Sequence, residues 1–185
     1  MPESAVPVDR LVAIVARLRV PLGFACGVLV FVLAAPTAGT LVAGLSVALA
    51  GELVRVWAAG HLNKSREVTR SGPYRFVAHP LYLGSAIMGA GLAIASGRAA
   101  VALVVAIYLA ITLTAAIRNE EAFLRRAFGQ QYDAYRRAGE VDADRRFSVA
   151  RAMANREHRA AAGLIAAALL MAWKAIHNSS LYSLK

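Results

Sequence analysis

Five apolar segments alternate with polar, basic connections along this chain: Val20 to Ala35, Ala38 to about Ala50, Leu81 to Ser96, Ala99 to Ile117, and Ala160 to Ile176. Each is continuous rather than alternating with period two, which argues for helices and against a β-barrel. Each also approaches the roughly 20 residues needed to cross about 30 Å of hydrocarbon. The pattern therefore predicts an all-α integral membrane protein of about five transmembrane helices. The first two segments reach spanning length only by taking in Arg17 and Arg19 on one and Glu52 and Arg55 on the other. Arginines near helix ends can snorkel to the headgroups, and Glu52 with Arg55 at i, i+3 can pair on one helical face. Pro36-Thr37 and Gly97-Arg98 leave almost no loop, so the first four spans are expected as two hairpins, followed by a final helix over 160–176. At about 1.5 Å per residue that last helix reaches about 25 Å. If it lies flat instead, the chain ends on the side of the basic loops.

The chain is 58% hydrophobic and carries a formal charge of +10, a balance that invites a nucleic-acid reading until the basic residues are located. Three precede the first span, four (Lys64, Arg66, Arg70, Arg75) lie between the second and third, and ten lie between Arg118 and Arg159. Under the positive-inside rule this segregation places the N-terminus and both long loops in the cytoplasm, with attraction to anionic lipid as a secondary effect. No nucleic-acid recognition motif accompanies the charge. The arginines before the first apolar run lack the order of a cleaved signal peptide, so that span is expected to be retained. The single cysteine, Cys26, lies within a span and reads as a small packed residue.

Small residues mark the expected helix contacts: Gly23 with Gly27 on the first span, and Gly84, Met88 and Gly91 on the third. Gly89-Ala90-Gly91 lacks the preceding strand that a dinucleotide fingerprint needs. From Asn119 to about Arg137 a charged helix carries an apolar stripe at Leu124, Phe128, Tyr132 and Tyr135, which predicts a cytoplasmic helix that lies along the membrane interface or caps the bundle. Residues 138–159 have few large apolar positions and read as a cytoplasmic linker containing at most one short helix.

Two polar edges carry candidate chemistry. Pro80 suits the first turn of the third span, with His79 at the cap and the N–H groups that follow open to an anion. Tyr74 and Tyr82 offer aromatic faces for a cation and hydroxyls for hydrogen bonds. Glu120 and Glu121 close the fourth span, where adjacent carboxylates beside hydrocarbon need cations or donors. Taken alone, each has a plain structural alternative: an interfacial aromatic belt for Tyr74, Tyr82 and Trp57, a cap for His79, and an i, i+4 pair with Arg125 for the glutamates. His61, His158 and His177 show no ligand spacing, so no metal site is expected.

The order of the elements is more specific than any one of them. Gly72-Pro73-Tyr74, His79-Pro80-Leu81-Tyr82-Leu83-Gly84, Glu120-Glu121 and Phe128-Gly129-Gln130-Gln131-Tyr132-Asp133-Ala134-Tyr135 follow one another between about Val54 and Arg137. As a set they resemble the membrane-embedded S-adenosylmethionine-dependent methyltransferases, the group that includes isoprenylcysteine carboxyl methyltransferase and phospholipid N-methyltransferase. The resemblance implies a methyltransferase core over 54–137, within a single membrane domain spanning 1–185. It further implies cofactor contacts at Glu67, Val68, Thr69, Tyr74, His79, Pro80, Leu81, Tyr82 and Glu120. Arg118 stands near a position linked to the substrate, and Glu121 is the candidate base if the acceptor is an amine. The family's usual Arg or Asn before His-Pro is replaced by Ala78, which leaves a cofactor carboxylate to Arg75, His79 and helix N–H groups.

The expected activity is methyl transfer from S-adenosylmethionine to a lipid-like or isoprenoid-bearing acceptor, a carboxylate or an amine, at the cytoplasmic face of the inner (plasma) membrane. Two alternatives remain. One is a sterol or isoprenoid reductase using NADPH, whose membrane region is similar. The other is a non-catalytic membrane scaffold whose basic loops hold anionic lipid or a partner.

Overall fold

The computed structural model describes residues 7–64, 66–138 and 145–182, and these form helices and connecting turns without a strand. In chain order they are α1 (Pro7–Leu33), α2 (Ala38–His61), a 3-10 turn (Gly72–Arg75), α3 (Pro80–Ala95), α4 (Ala99–Phe128), α5 (Gln130–Ala138), α6 (Val149–Ala154) and α7 (Glu157–Tyr182). The all-helical membrane fold is as expected, while the number of spans needs qualification. Three helices, α2, α4 and α7 as far as His177, are long and apolar enough to cross a bilayer. The helix α1 makes a fourth if its two parts, bent by 58° between Leu18 and Val20, count as one span. Pro21 lies just beyond that bend and cannot supply the amide that would bond back to Arg17. The third expected span, α3, is apolar but only 16 residues long.

Backbone proximity decides which helices pair. The most extensive contact joins α2 and α3, and it runs antiparallel: Gly44 lies against Gly91 and Ala95, and Gly51 against Gly84 and Met88. Each of these glycines faces backbone atoms of the other helix so closely that an added Cβ would overlap them. The small-residue face expected on the third span is thus matched by one on α2. The face expected on α1 is not built in the same way. Gly23 meets only the Tyr108 hydroxyl, and nothing lies within 4 Å of a Cβ placed on Gly27. Accordingly α1 packs along α4 rather than folding back along α2.

The two short connections nevertheless lie side by side at one end of the bundle. There the Ala35 N–H donates to the Ser96 carbonyl at 2.8 Å, and Gly97 takes φ +67° against the Ala35 carbonyl. Thr37 and Thr40 form a capping box that starts α2. At the same end Lys174 of α7 donates to the Phe31 and Val32 carbonyls at 2.5 and 2.8 Å, closing the C-terminus of α1. Glu157, at the start of α7, pairs with Arg55 near the opposite end of α2. Hence α7 runs the length of the bundle.

Residues 139–144 of the expected linker lie outside the described residues, whereas its second half is folded onto α2. Asn155 donates its side-chain amide to the Ala59 and Leu62 carbonyls, both at 2.9 Å, and Arg151 Nε donates to the Gly60 carbonyl at 2.9 Å. These bonds satisfy carbonyls that the end of a helix leaves open. Asn155→Ala, which removes two part-buried hydrogen bonds, should cost about 1–3 kcal/mol. The check is a lowered unfolding midpoint in detergent, together with faster proteolysis at Arg145 and Arg146.

Candidate active site at the basic end of the bundle

The start of α3 and the end of α4 meet at the end of the bundle that carries the basic connections. His79 caps α3, Pro80 occupies its first turn, and both the Tyr82 and Leu83 N–H groups donate to the His79 carbonyl at 3.1 Å. Much of the open N–H edge expected for an anion is therefore satisfied within the turn. The His79 ring turns toward α4, where Nε2 lies 3.2 Å from Glu121 Oε1. Arg125 Nη2 lies 3.4 Å from Glu121 Oε2, and Arg136 Nη2 3.6 Å from Oε1. Glu121 thus joins three elements and is held in place by cations on two sides.

Gly129 explains how Arg136 arrives there. The helix predicted over Asn119 to Arg137 is broken: α4 continues through Phe128, Gly129 turns the chain at φ +48° and ψ −123°, and α5 folds back. The apolar stripe keeps its role despite the break. Leu124, Phe128, Tyr132 and Tyr135 pack with Val68 and Ala78 into a second core cluster. The Tyr135 hydroxyl donates to the Tyr74 carbonyl at 2.6 Å, and Arg70 Nη2 donates to the Gln131 carbonyl at 3.2 Å. Tyr74 is thereby fixed from below by α5. Tyr135→Phe should leave the Tyr74 carbonyl unmatched at a cost of about 1–3 kcal/mol, read as a lower unfolding midpoint than in the wild type.

Charge and burial shape the phenols here. Burial is the first reason that the Tyr74 hydroxyl titrates well above the usual tyrosine range, and the nearby Glu120 carboxylate is the second. Tyr132 is pushed up to about 12, mainly by burial and then by Glu121. Both phenols stay neutral donors at physiological pH. Glu120 is half-buried and, unlike Glu121, has no cation paired with it among the described residues. Its charge acts on the Tyr74 hydroxyl, as does that of Glu157 more weakly.

Beside the His79–Glu121 pair lies an open cavity of about 340 Å³, within the size range of small-molecule sites. Ala78, His79, Tyr82, Leu83 and Ala86 form one wall, Leu113 and Ile117 the other, and Arg136 stands at its polar mouth. The Ala78 departure therefore falls on the wall of this cavity, and Arg136 is the guanidinium that reaches it.

The remaining expected site residues are distributed around this centre. Glu67 is paired with Arg145, Val68 lies in the second core cluster, and Thr69 is buried, its hydroxyl accepting from the Asn63 N–H at 3.2 Å. Pro80 is fully buried, and the Leu81 carbonyl accepts from Ser85 at 2.9 Å. Arg118 is exposed and makes no hydrogen bond or ion pair among the described residues. Sequence reasoning missed Arg136, and Tyr135 as an anchor for Tyr74. The spacing of Tyr132, Tyr135 and Arg136 carried a usable signal, since a helix with one buried face can present Arg136 beside it. Among the described residues no group of three or more His, Cys, Asp or Glu side chains is arranged to hold a metal ion.

The model of the phospholipid methyltransferase family matches residues 22–131, more than half of the chain. Cobalt-zinc-cadmium resistance protein CzcN of Cupriavidus metallidurans is 36% identical over 87 residues, which are 46% of this chain and 39% of that protein. Nickel-cobalt-cadmium resistance protein NccN of Alcaligenes xylosoxydans xylosoxydans is 32% identical over 96 residues, 51% of this chain and 43% of that protein. The chain thus spans less than half the length of these curated relatives. No solved structure matches it.

Proposed function

Because the chain belongs to the phospholipid methyltransferase family, we propose that it transfers a methyl group from S-adenosylmethionine to a lipid-like acceptor at the cytoplasmic face of the inner membrane. The observation that carries this reading is the meeting of α3's entrance with α4's exit, with His79 3.2 Å from Glu121 beside an open, largely apolar cavity. Segregation of basic residues at this end of the bundle supports the cytoplasmic assignment. An acceptor with an apolar tail fits a cavity walled by Leu83, Ala86, Leu113 and Ile117, reached sideways between α3 and α4.

The residues suit the cofactor's mixed chemistry. Tyr74, Tyr82 and the unpaired Glu120 supply aromatic faces and negative charge, and Arg136 and His79 supply donors for a carboxylate. When bound, S-adenosylmethionine supplies an electrophilic methyl group for in-line displacement. The protein's part is to hold the reacting groups in register and keep water out. His79 and Arg125 fix the Glu121 carboxylate, which can then accept a proton from an amine acceptor. For a carboxylate acceptor no such base is needed, and Arg118 and Arg136 are the cations available to orient it. Calorimetric titration of the purified chain with S-adenosylhomocysteine and with NADPH tests the reading. Binding of the first alone is expected, whereas binding of NADPH alone would overturn it in favour of a reductase.

A further inference from the structure

A second charged group lies deeper in the bundle, outside the His79–Glu121 network. Glu52 on α2 and Glu157 at the start of α7 are both only 5% exposed, and Arg55 is the cation between them. Arg55 Nε is 2.7 Å from Glu157 Oε1 and 3.6 Å from Glu52 Oε2. The same guanidinium is anchored on α3 by the Ser85 hydroxyl and the Leu81 carbonyl, and its stem packs over Gly84. Two carboxylates therefore share one arginine, whose Nη1 is engaged with α3. Neither oxygen of Glu52 accepts a hydrogen bond among the described residues. A buried carboxylate left this way is costly, and an arrangement that retains it is understandable if a further cation completes it.

The position suits a ligand. Leu81 and Ser85, which hold Arg55, belong to the first turns of α3 beside Tyr82, and the Glu157 charge, like that of Glu120, acts on the Tyr74 phenol. The group thus adjoins the start of α3, which carries His79 and Tyr82 of the candidate active site. Glu157 also lies beyond residues 22–131, the part of the chain matched to the family.

We propose that Glu52 and Glu157, bridged by Arg55, recognise one positively charged group of a bound ligand, an ammonium or a sulfonium. Such a group would sit against Glu52 and leave the Arg55–Glu157 pair intact, bringing the local charge to zero. Whether it belongs to the methyl donor or to the acceptor rests on the methyltransferase reading; the demand for positive charge does not.

The test uses the full chain in maltoside micelles and measures the affinities of four probes for the wild type, Glu52→Gln and Glu157→Gln. S-adenosylmethionine carries a sulfonium and an amino group, S-adenosylhomocysteine the amino group alone, 5′-methylthioadenosine neither, and hexylammonium a bare ammonium. Loss of a charged hydrogen-bonded contact predicts at least about tenfold weaker binding of a cationic probe to Glu52→Gln, with 5′-methylthioadenosine unaffected. An equal loss for both amino-bearing nucleosides identifies the donor's amino group. A loss confined to S-adenosylmethionine identifies its sulfonium, and a loss confined to hexylammonium identifies the acceptor. Glu52→Gln removes one of two buried carboxylates that share a single arginine, so its unfolding midpoint should equal or exceed that of the wild type. Wild-type affinity for every probe in both variants overturns the proposal, as does equal weakening of all four, which marks a structural role. If Glu52→Gln does not fold, the same criteria apply to Glu157→Gln. A wild-type chain that binds none of the adenosyl probes refutes the methyltransferase reading, while hexylammonium still decides the cation site.

Discussion

Alanine at Gly44 or Gly91 should lower the unfolding midpoint of the detergent-solubilised protein sharply, and valine at either position should prevent the native helix pairing. The reason is the seam itself: at both positions an added Cβ would overlap backbone nitrogen and oxygen atoms of the opposite helix. Backbone cannot rotate aside as a flexible side chain can, so α2 and α3 must separate. Overpacking of this kind costs about 1–3 kcal/mol per site, and the larger side chain falls at or beyond the top of that range. Gly27→Ala is the matching control, because nothing lies within 4 Å of the added carbon. There the gain in helix propensity, up to about 1 kcal/mol, should leave the midpoint unchanged or raised. Thermal or denaturant titration of the three variants beside the wild type distinguishes these outcomes. Separation of α2 from α3 would also dismantle the site, since α3 presents His79, Pro80 and Tyr82 from its first turn.

The second large effect is expected at Glu121. Its carboxylate meets His79 on one side and Arg125 and Arg136 on the other, so its loss frees the histidine ring and leaves two guanidiniums without their shared anion. Glu121→Gln keeps the shape and removes the charge. Methyl transfer should fall by about 10²–10³-fold, the range typical of removing a preorganised electrostatic partner, while the protein remains folded. Glu120→Gln should act differently. Glu120 has no cation paired with it among the described residues and its charge acts on Tyr74, so its substitution should weaken S-adenosylhomocysteine binding by about tenfold or more and leave the His79–Arg125–Arg136 arrangement intact. Parallel affinity and single-turnover measurements separate the two. Equal effects of both substitutions on affinity alone would show that the two carboxylates do not divide the work as their contacts imply.

The apolar runs made the helices legible because a bilayer imposes continuous hydrophobicity over a fixed length. The approach of α3's start to α4's end was also legible, since the Gly97-Arg98 connection permits little else. Pairing was harder to read. Gly23 and Gly27 present the same spacing as a packing motif, yet only backbone geometry shows that Gly44 and Gly51 supply the close face. Gly129 marked the helix break, but an apolar stripe with helical period ran through it and suggested continuity. The docking of α6 depends on Arg151 and Asn155 reaching carbonyls about 90 residues earlier in the chain, a long-range match that no local pattern records. For the same reason Glu157 read as one more charge in a polar connection. Its partner, Arg55, had been assigned only to Glu52 one helical turn away.

The most direct test is transfer of a labelled methyl group from S-adenosylmethionine by the full chain, reconstituted in nanodiscs made from a total lipid extract, with Glu121→Gln assayed alongside. Label should enter the lipid fraction in the wild type and fall by about 10²-fold or more in the variant. Lipid that stays unlabelled despite demonstrated cofactor binding, or equal labelling by the variant, would contradict the account.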